Sequence, residues 1–122
     1  SAFRRYEVRA LEETIARHPR AVIATGGGLV AEPAAFDLLL ARCFTIWLRA
    51  TPEEHMSRVV AQGDTRPMAG NTEAMADLQR ILTMREPFYT KADMTFDTRG
   101  KVLADAHAEL LDAVHARLAP AI

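Results

Sequence analysis

The sequence contains a single cysteine, Cys43, among its 122 residues. One thiol cannot build a disulfide framework, and Cys43 opens the apolar run CFTIWL, so we expect a buried thiol rather than a nucleophile. The four histidines are scattered and no pair has metal-ligand spacing, so the sequence predicts no metal site. Such a composition suits a reducing compartment, and we expect the cytoplasm.

Long apolar runs and clusters of one charge are also missing. No run of about 18 apolar residues could span a membrane, and the start SAFRRYEVRA lacks the order of a signal peptide. The formal net charge is -1 with both signs interspersed, so this segment offers no surface for binding several nucleic-acid phosphates. With 49% hydrophobic and 25% charged residues, the composition is that of one small globular domain.

A loop for binding phosphate is the third absence. Phosphoryl-transfer enzymes of the P-loop type hold the β- and γ-phosphates and Mg²⁺ with a glycine-rich loop that ends in Gly-Lys-Ser/Thr. No such loop occurs between Ser1 and Ile122. These residues alone are therefore not expected to bind a cofactor or to act as a P-loop kinase.

Helical and strand-like segments alternate along the chain. Apolar spacing predicts helices at 4–17, 33–41, 51 to about 63, 73–93 and 103–118. Continuous apolar runs typical of buried parallel strands lie at 21–25, 43–48 and 94–98. This order predicts an α/β fold with a parallel sheet and helices on both faces. Three strands are few for such a sheet, so we interpret residues 1–122 as the downstream part of a larger domain.

Two helices allow more detailed predictions. Thr51 can cap the third helix, Pro52 suits its first position, and Glu54 can close a capping box. In the last helix the apolar spacing predicts one buried stripe, made of Leu103, His107, Leu110, Val114 and Leu118.

Gly26, Gly27 and Gly28 directly follow the apolar run AVIAT. Ligands of parallel α/β sheets collect beyond the carboxyl ends of the strands. Without Cβ atoms, these glycines can adopt positive φ and let backbone N–H groups approach an anion or a sugar-like ring. A glycine-rich turn without a ligand is the alternative, and the residues alone do not decide between the two.

Arg4 and Arg85 each share a helical stripe with residues that must be buried. A guanidinium in that position needs a carboxylate, a phosphate or a ligand anion. For Arg4 the alternative partner is Glu7, three residues later, whereas Glu86 faces away from the stripe of Arg85.

Two further arginines are candidate nucleotide ligands. Arg66 precedes Pro67 in a loop at about 62–73, from which it could close over phosphate as a lid. Arg58, on the preceding helix, could stack on a base. A solvated arginine is the alternative for each.

The motifs FRRYE, IATGGGLV, IWLRATPEEHMSR, RPMAG, REPFYTKAD and FDT together resemble the shikimate kinase family. They follow its order and approximate spacing from the substrate-binding helix to the end of the domain, over essentially the whole chain. The resemblance implies the C-terminal portion of a P-loop NTPase fold, with the first strands and the P-loop absent from these residues.

Site roles follow from the same resemblance. Arg4, Gly26, Gly27, Gly28 and Arg85 would hold the carboxylate and hydroxyls of shikimate. For the nucleotide, Arg66 would be the lid residue on ATP phosphate and Arg58 would border the adenine.

Two stretches, RPMAGNTEAMADLQRIL and EEHMSRVVAQGD, depart from ordinary kinases. They are more similar to the shikimate-kinase-like C-terminal domain of helix-turn-helix bacterial regulators of benzoate degradation. That resemblance implies a domain that binds an aromatic acyl-CoA effector, benzoyl-CoA, with DNA contacted only through a helix-turn-helix domain outside these residues.

Two alternatives remain beside this regulator interpretation. One is a fragment of a shikimate kinase, in which the same residues position shikimate for phosphorylation by ATP with Mg²⁺. The other is a structural remnant used for dimerisation.

The resemblance also places the first strand of the family between the strands ending at Thr25 and Leu48. Without it, those strands have unpaired edges. We therefore expect the chain to close the gap directly, to exchange elements with a second copy in a homodimer, or to lack a part that was lost or is disordered.

Overall fold

The computed structural model describes residues 2–61 and 71–118. Helices and strands alternate within these ranges in the order α1 (Ala2–Arg17), a 3-10 helix (Gly27–Ala31), α2 (Pro33–Arg42), β1 (Ile46–Arg49), α3 (Pro52–Ala61), α4 (Asn71–Tyr89), β2 (Met94–Asp97) and α5 (Leu103–Leu118). None of the described helices is long and apolar enough to cross a membrane.

The chain forms two compact units. It passes from one to the other between Trp47 and Leu48, between Leu78 and Gln79, and between Met94 and Thr95. The first unit contains α1, the 3-10 helix, α2 and the C-terminal part of α4. The second unit contains α3, the N-terminal part of α4 and α5.

The core of the first unit joins α1, the 3-10 helix and α2 through Leu11, Leu29, Ala35 and Phe36. Phe88 of α4 contacts Phe36 edge-on, with ring centroids 6.5 Å apart. This core explains why α1 buries one side only, because Leu11 is its fully buried residue and Val8 and Ile15 pack beside it.

Strands β1 and β2 form a two-stranded sheet. The Met94 N–H donates to the Thr45 carbonyl at 3.1 Å, and the Thr98 N–H donates to the Arg49 carbonyl at 2.8 Å. Residue numbers rise together in the two bonds, so the strands are parallel. The predicted α/β class with a parallel sheet is confirmed.

The predicted strand at 21–25 is wrong. These residues have no regular secondary structure, and the side chain of Val22 is fully exposed. A parallel strand is held by hydrogen bonds from a neighbouring strand, and the sheet of the described residues contains only β1 and β2. Among the described residues, 21–25 therefore do not pair directly with β1 to close the gap left by the missing first strand. Ile23 does pack against the core.

Several predicted boundaries shift. β1 begins at Ile46 rather than Cys43, because the Cys43 N–H still bonds the Leu39 carbonyl and closes α2. Cys43 is half-buried. At its start, α4 takes in residues 71–73, which were predicted to belong to the lid loop, and it ends at Tyr89 rather than at 93.

The predicted stripe of α5 is wrong in part. Leu110 and Val114 are half-buried as expected, but Leu103, His107 and Leu118 are exposed. Ala106 and Ala113 are half-buried instead, so the covered side of the helix is rotated toward small residues. The prediction from apolar spacing treated the long apolar side chains of α5 as buried, whereas no residue of α5 is fully buried.

Candidate functional site

The glycine turn, residues 26–28, leads from an extended segment into the 3-10 helix. Gly26 has φ -65° and ψ 147°, and its carbonyl accepts from the Leu29 N–H at 3.2 Å. None of the three glycines has positive φ, so the turn does not use the left-handed backbone that glycine permits. Leu29, which directly follows the turn, is buried in the core and holds the turn against it.

Gly28 matters because two arginines approach its backbone. A Cβ atom placed on it would lie 3.0 Å from Nη2 of Arg4 and 3.2 Å from Nη2 of Arg85. A side chain there would push both guanidinium groups away. The structure thus brings together Arg4, Gly28 and Arg85, which the resemblance had assigned to the same group of residues.

Glu7 is the ion-pair partner of Arg4. Its carboxylate lies 2.8 Å from Nη1 of Arg4, and both side chains are part-buried. The ion pair between Arg4 and Glu7, which was the alternative to a ligand, is therefore present. Nη2 of Arg4 nevertheless faces Gly28. Together with Arg85, Arg4 places two guanidinium groups beside the turn.

Arg85 forms no hydrogen bond or ion pair with any residue in ranges 2–61 and 71–118. It is half-buried on α4, in line with Leu78 and Leu82 as the stripe predicted. A partly desolvated guanidinium beside a second one favours an anion, and its planar fork suits a carboxylate.

Tyr89 and Trp47 were missed as site residues. The Tyr89 hydroxyl donates to the Gly27 carbonyl at 2.8 Å, and its ring stacks on Trp47 at 5.4 Å between centroids. The usable signal was the four-residue spacing from Arg85 to Tyr89, which places both side chains on one side of α4.

Gly26 has open space beside it, and its predicted role in binding stays a prediction. No heavy atom lies within 4 Å of a Cβ built on it. Of the three glycines, Gly28 and Gly27 are the positions that approach other groups closely.

A second polar cluster lies in the second unit, where α3 meets the loop after β2. Both Nη atoms of Arg58 lie 3.3 Å from the hydroxyl oxygen of Thr98, and Glu54 lies 4.0 Å away. Arg58 is therefore held at the end of β2 and keeps about half of its side chain exposed. A role in nucleotide binding stays a prediction.

Glu54 links the start of α3 to this loop. One carboxylate oxygen accepts from the Thr51 N–H at 3.2 Å while the Thr51 hydroxyl accepts from the Glu54 N–H, which confirms the capping box. The other oxygen accepts from the Gly100 N–H at 3.0 Å. The Gly100 bond, followed by the Thr51 bond, lowers the pKa of Glu54.

The loop itself is stabilised locally. Arg99 makes a two-pronged bond to Asp97, with Nε at 2.9 Å and Nη2 at 2.6 Å, and this bond lowers the pKa of Asp97 to about 2. Gly100 has φ 71°, the left-handed backbone that favours glycine. Gly100 was not singled out from the sequence.

Arg66 lies outside the described residues, as does most of the predicted lid loop. Within the described ranges, no group of three or more His, Cys, Asp or Glu side chains could hold a metal ion. His55 of α3 is half-buried, and burial lowers its pKa with a further contribution from Arg58.

Comparison of the sequence with known protein families identifies the family of this chain. The family model described as "Shikimate kinase" matches residues 1–115. The chain belongs to the shikimate kinase family. No solved structure matches significantly.

Several curated relatives are shikimate kinases. The chain is 33% identical to one from Synechococcus sp. strain CC9605, over 93% of this chain and 58% of the relative. It is 36% identical to one from Moorella thermoacetica, over 95% and 65%, and 33% identical to one from Bordetella pertussis, over 95% and 54%. The chain thus spans a little over half the length of these relatives.

These matches favour the kinase alternative over the regulator interpretation. The sequence motifs correctly indicated the shikimate kinase family, but nothing in the comparisons supports a regulator domain, a benzoyl-CoA effector, DNA contacts or a homodimer.

Proposed function

We propose that this chain carries the shikimate-binding part of a shikimate kinase. The observation behind the proposal is the convergence of Arg4 and Arg85 on the backbone of Gly28. Shikimate is a hydroxyl-bearing ring with a carboxylate, and a carboxylate is the anion that paired guanidinium forks bind best. Membership of the shikimate kinase family supports shikimate as the ligand.

Each group in the first unit would have a distinct task. Arg85 and Nη2 of Arg4 would bind the carboxylate, and Glu7 would hold Arg4 in place through its ion pair. Lacking side chains, Gly27 and Gly28 would let the substrate ring approach the backbone closely.

In the whole protein, the reaction would be phosphorylation of shikimate by ATP in the cytoplasm. Mg²⁺ and the β- and γ-phosphates need a Gly-Lys-Ser/Thr loop, and residues 1–122 do not contain one. The residues present therefore do not fit these groups, and no step of phosphoryl transfer is assigned to them. Arg58 and Arg66 remain candidates for contacts with the nucleotide.

Calorimetry on the chain tests the proposal. We expect shikimate to bind and benzoyl-CoA not to bind. Arg85→Gln should weaken shikimate binding at least 30-fold, about 2 kcal/mol, because it removes one partner of a charge-assisted pair. Arg80→Gln, an exposed arginine of the same helix, is the control and should leave the affinity unchanged.

The opposite pattern would overturn the proposal. Binding of benzoyl-CoA without shikimate, by a chain whose helical circular dichroism is intact, would favour the effector-binding interpretation. Equal loss of shikimate affinity in both arginine variants would show that the glycine turn is not the binding site.

A further inference from the structure

Tyr89 connects the glycine turn to the helix that carries Arg85. Its hydroxyl donates to the Gly27 carbonyl at 2.8 Å, and a Cβ on Gly27 would lie 3.2 Å from the hydroxyl oxygen. Because Tyr89 and Arg85 lie four residues apart on α4, a bond to one fixes the turn relative to the other. The absence of a side chain on Gly27 permits this close approach.

Stacking on Trp47 limits the freedom of the tyrosine ring. The two rings are 5.4 Å apart between centroids and inclined by 24°, and both residues are half-buried. A ring held on one face keeps its hydroxyl on the Gly27 carbonyl. Stacking on Trp47 therefore helps to hold the hydrogen bond between the Tyr89 hydroxyl and the Gly27 carbonyl in place.

The Gly27 carbonyl belongs to the same planar trans peptide as the Gly28 N–H, and the described chain has no cis peptide. Fixing the carbonyl direction fixes the N–H, which points the opposite way. Tyr89 thus determines the orientation of the peptide that Arg4 and Arg85 approach.

We infer that Tyr89 is a positioning residue, which holds the Gly27–Gly28 peptide against the two arginines through its hydroxyl and its stack on Trp47. The structural part stands on these contacts alone. The effect on shikimate rests on the proposed function.

Hydrogen exchange in the Tyr89→Phe variant tests the structural part. Phenylalanine keeps the ring on Trp47 and removes only the hydroxyl. We expect the Gly28 and Leu29 amides to exchange roughly twofold to tenfold faster, the range for loss of one hydrogen bond. The Phe36 amide, bonded to the Glu32 carbonyl in α2, should be unchanged. The control is Tyr6→Phe, at an exposed tyrosine of α1.

Unchanged exchange at Gly28 and Leu29 would overturn the inference, and so would equal acceleration at Phe36, which indicates general loosening. Titration with shikimate then separates the two proposals. We expect Tyr89→Phe to weaken shikimate binding severalfold and Tyr6→Phe to leave it unchanged. If the unmodified chain binds no shikimate, the proposed function fails, while the exchange result still decides the role of Tyr89.

Discussion

Gly28 shows how one missing side chain shapes a site. The backbone there is not left-handed, so its conformation does not require glycine. Space favours glycine, because a Cβ atom would lie only 3.0 Å from Nη2 of Arg4 and 3.2 Å from Nη2 of Arg85 and would displace both guanidinium groups. Glycine at position 28 is therefore explained by the close approach of the two arginine side chains.

We expect Gly28→Ala to weaken shikimate binding about tenfold, ~1.4 kcal/mol, because both guanidinium groups must move by a few tenths of an ångström. Stability should change by less than about 0.5 kcal/mol, since the displaced atoms are ends of flexible side chains. Calorimetry and urea unfolding measure the two effects. Gly26→Ala is the matched control, as nothing lies within 4 Å of its Cβ position; an equal loss there would contradict the argument.

At the scale of elements, the start of α3 combines a local signal with a distant contact. Thr51 and Glu54 form the capping box that their spacing predicted. The second oxygen of Glu54 bonds Gly100, 46 residues later, which the spacing could not indicate. One carboxylate thus stabilises both a helix start and the loop after β2.

Replacement of Thr51 by alanine should lower the free energy of unfolding by about 1 kcal/mol, the usual value of a helix cap. Urea denaturation measures it. Thr83→Ala is the control, because that hydroxyl only bonds the Gln79 carbonyl within α4 and its loss should be neutral or slightly stabilising. A cap variant as stable as the control would rule out a contribution from the capping box.

The pKa of Glu54 gives a pH dependence. Its folded pKa is lowered, so the stability that it contributes is fully present above its ordinary value near 4.5 and is lost as the pH falls through the folded value. Glu54→Gln should therefore flatten the fall in stability below that value. Asp97 contributes in the same direction down to about 2.

Urea unfolding at a series of acidic pH values, with Asp97→Asn as a second variant, separates the two carboxylates. Asp97→Asn should flatten the curve at lower pH than Glu54→Gln does. Curves that coincide with the unmodified chain over the whole range would show that neither carboxylate is linked to folding.

At the scale of the molecule, a ligand that binds only the folded state must stabilise it. At a shikimate concentration of 100 times its dissociation constant, the gain is about 2.7 kcal/mol, roughly a 10 °C rise in melting temperature. Trp47 is the single tryptophan and stacks on Tyr89, so its fluorescence reports on the unit that holds the glycine turn. Benzoyl-CoA should give no rise, and the Arg85→Gln variant, with its affinity lowered at least 30-fold, should give at most about a third of the rise at the same shikimate concentration. A rise with benzoyl-CoA alone would contradict the shikimate proposal.

The sequence by itself determined the helices, the capping box, the parallel order of β1 and β2, and the family. These features depend on local spacing, or on motifs whose order along the chain is visible in the sequence. Helix α1 is an example, since its stripe from Arg4 to Ile15 follows directly from the helical repeat.

Only the tertiary structure decided which groups meet. Residues 21–25 have the composition of a strand, but a strand also needs a hydrogen-bonding neighbour, and they have none among the described residues. Gly27 and Tyr89 are 62 residues apart in the chain, and Gly28 meets Arg85 across a similar stretch. Such contacts depend on how the first unit packs around Leu11 and Phe36, because packing, unlike spacing, is a property of several segments at once.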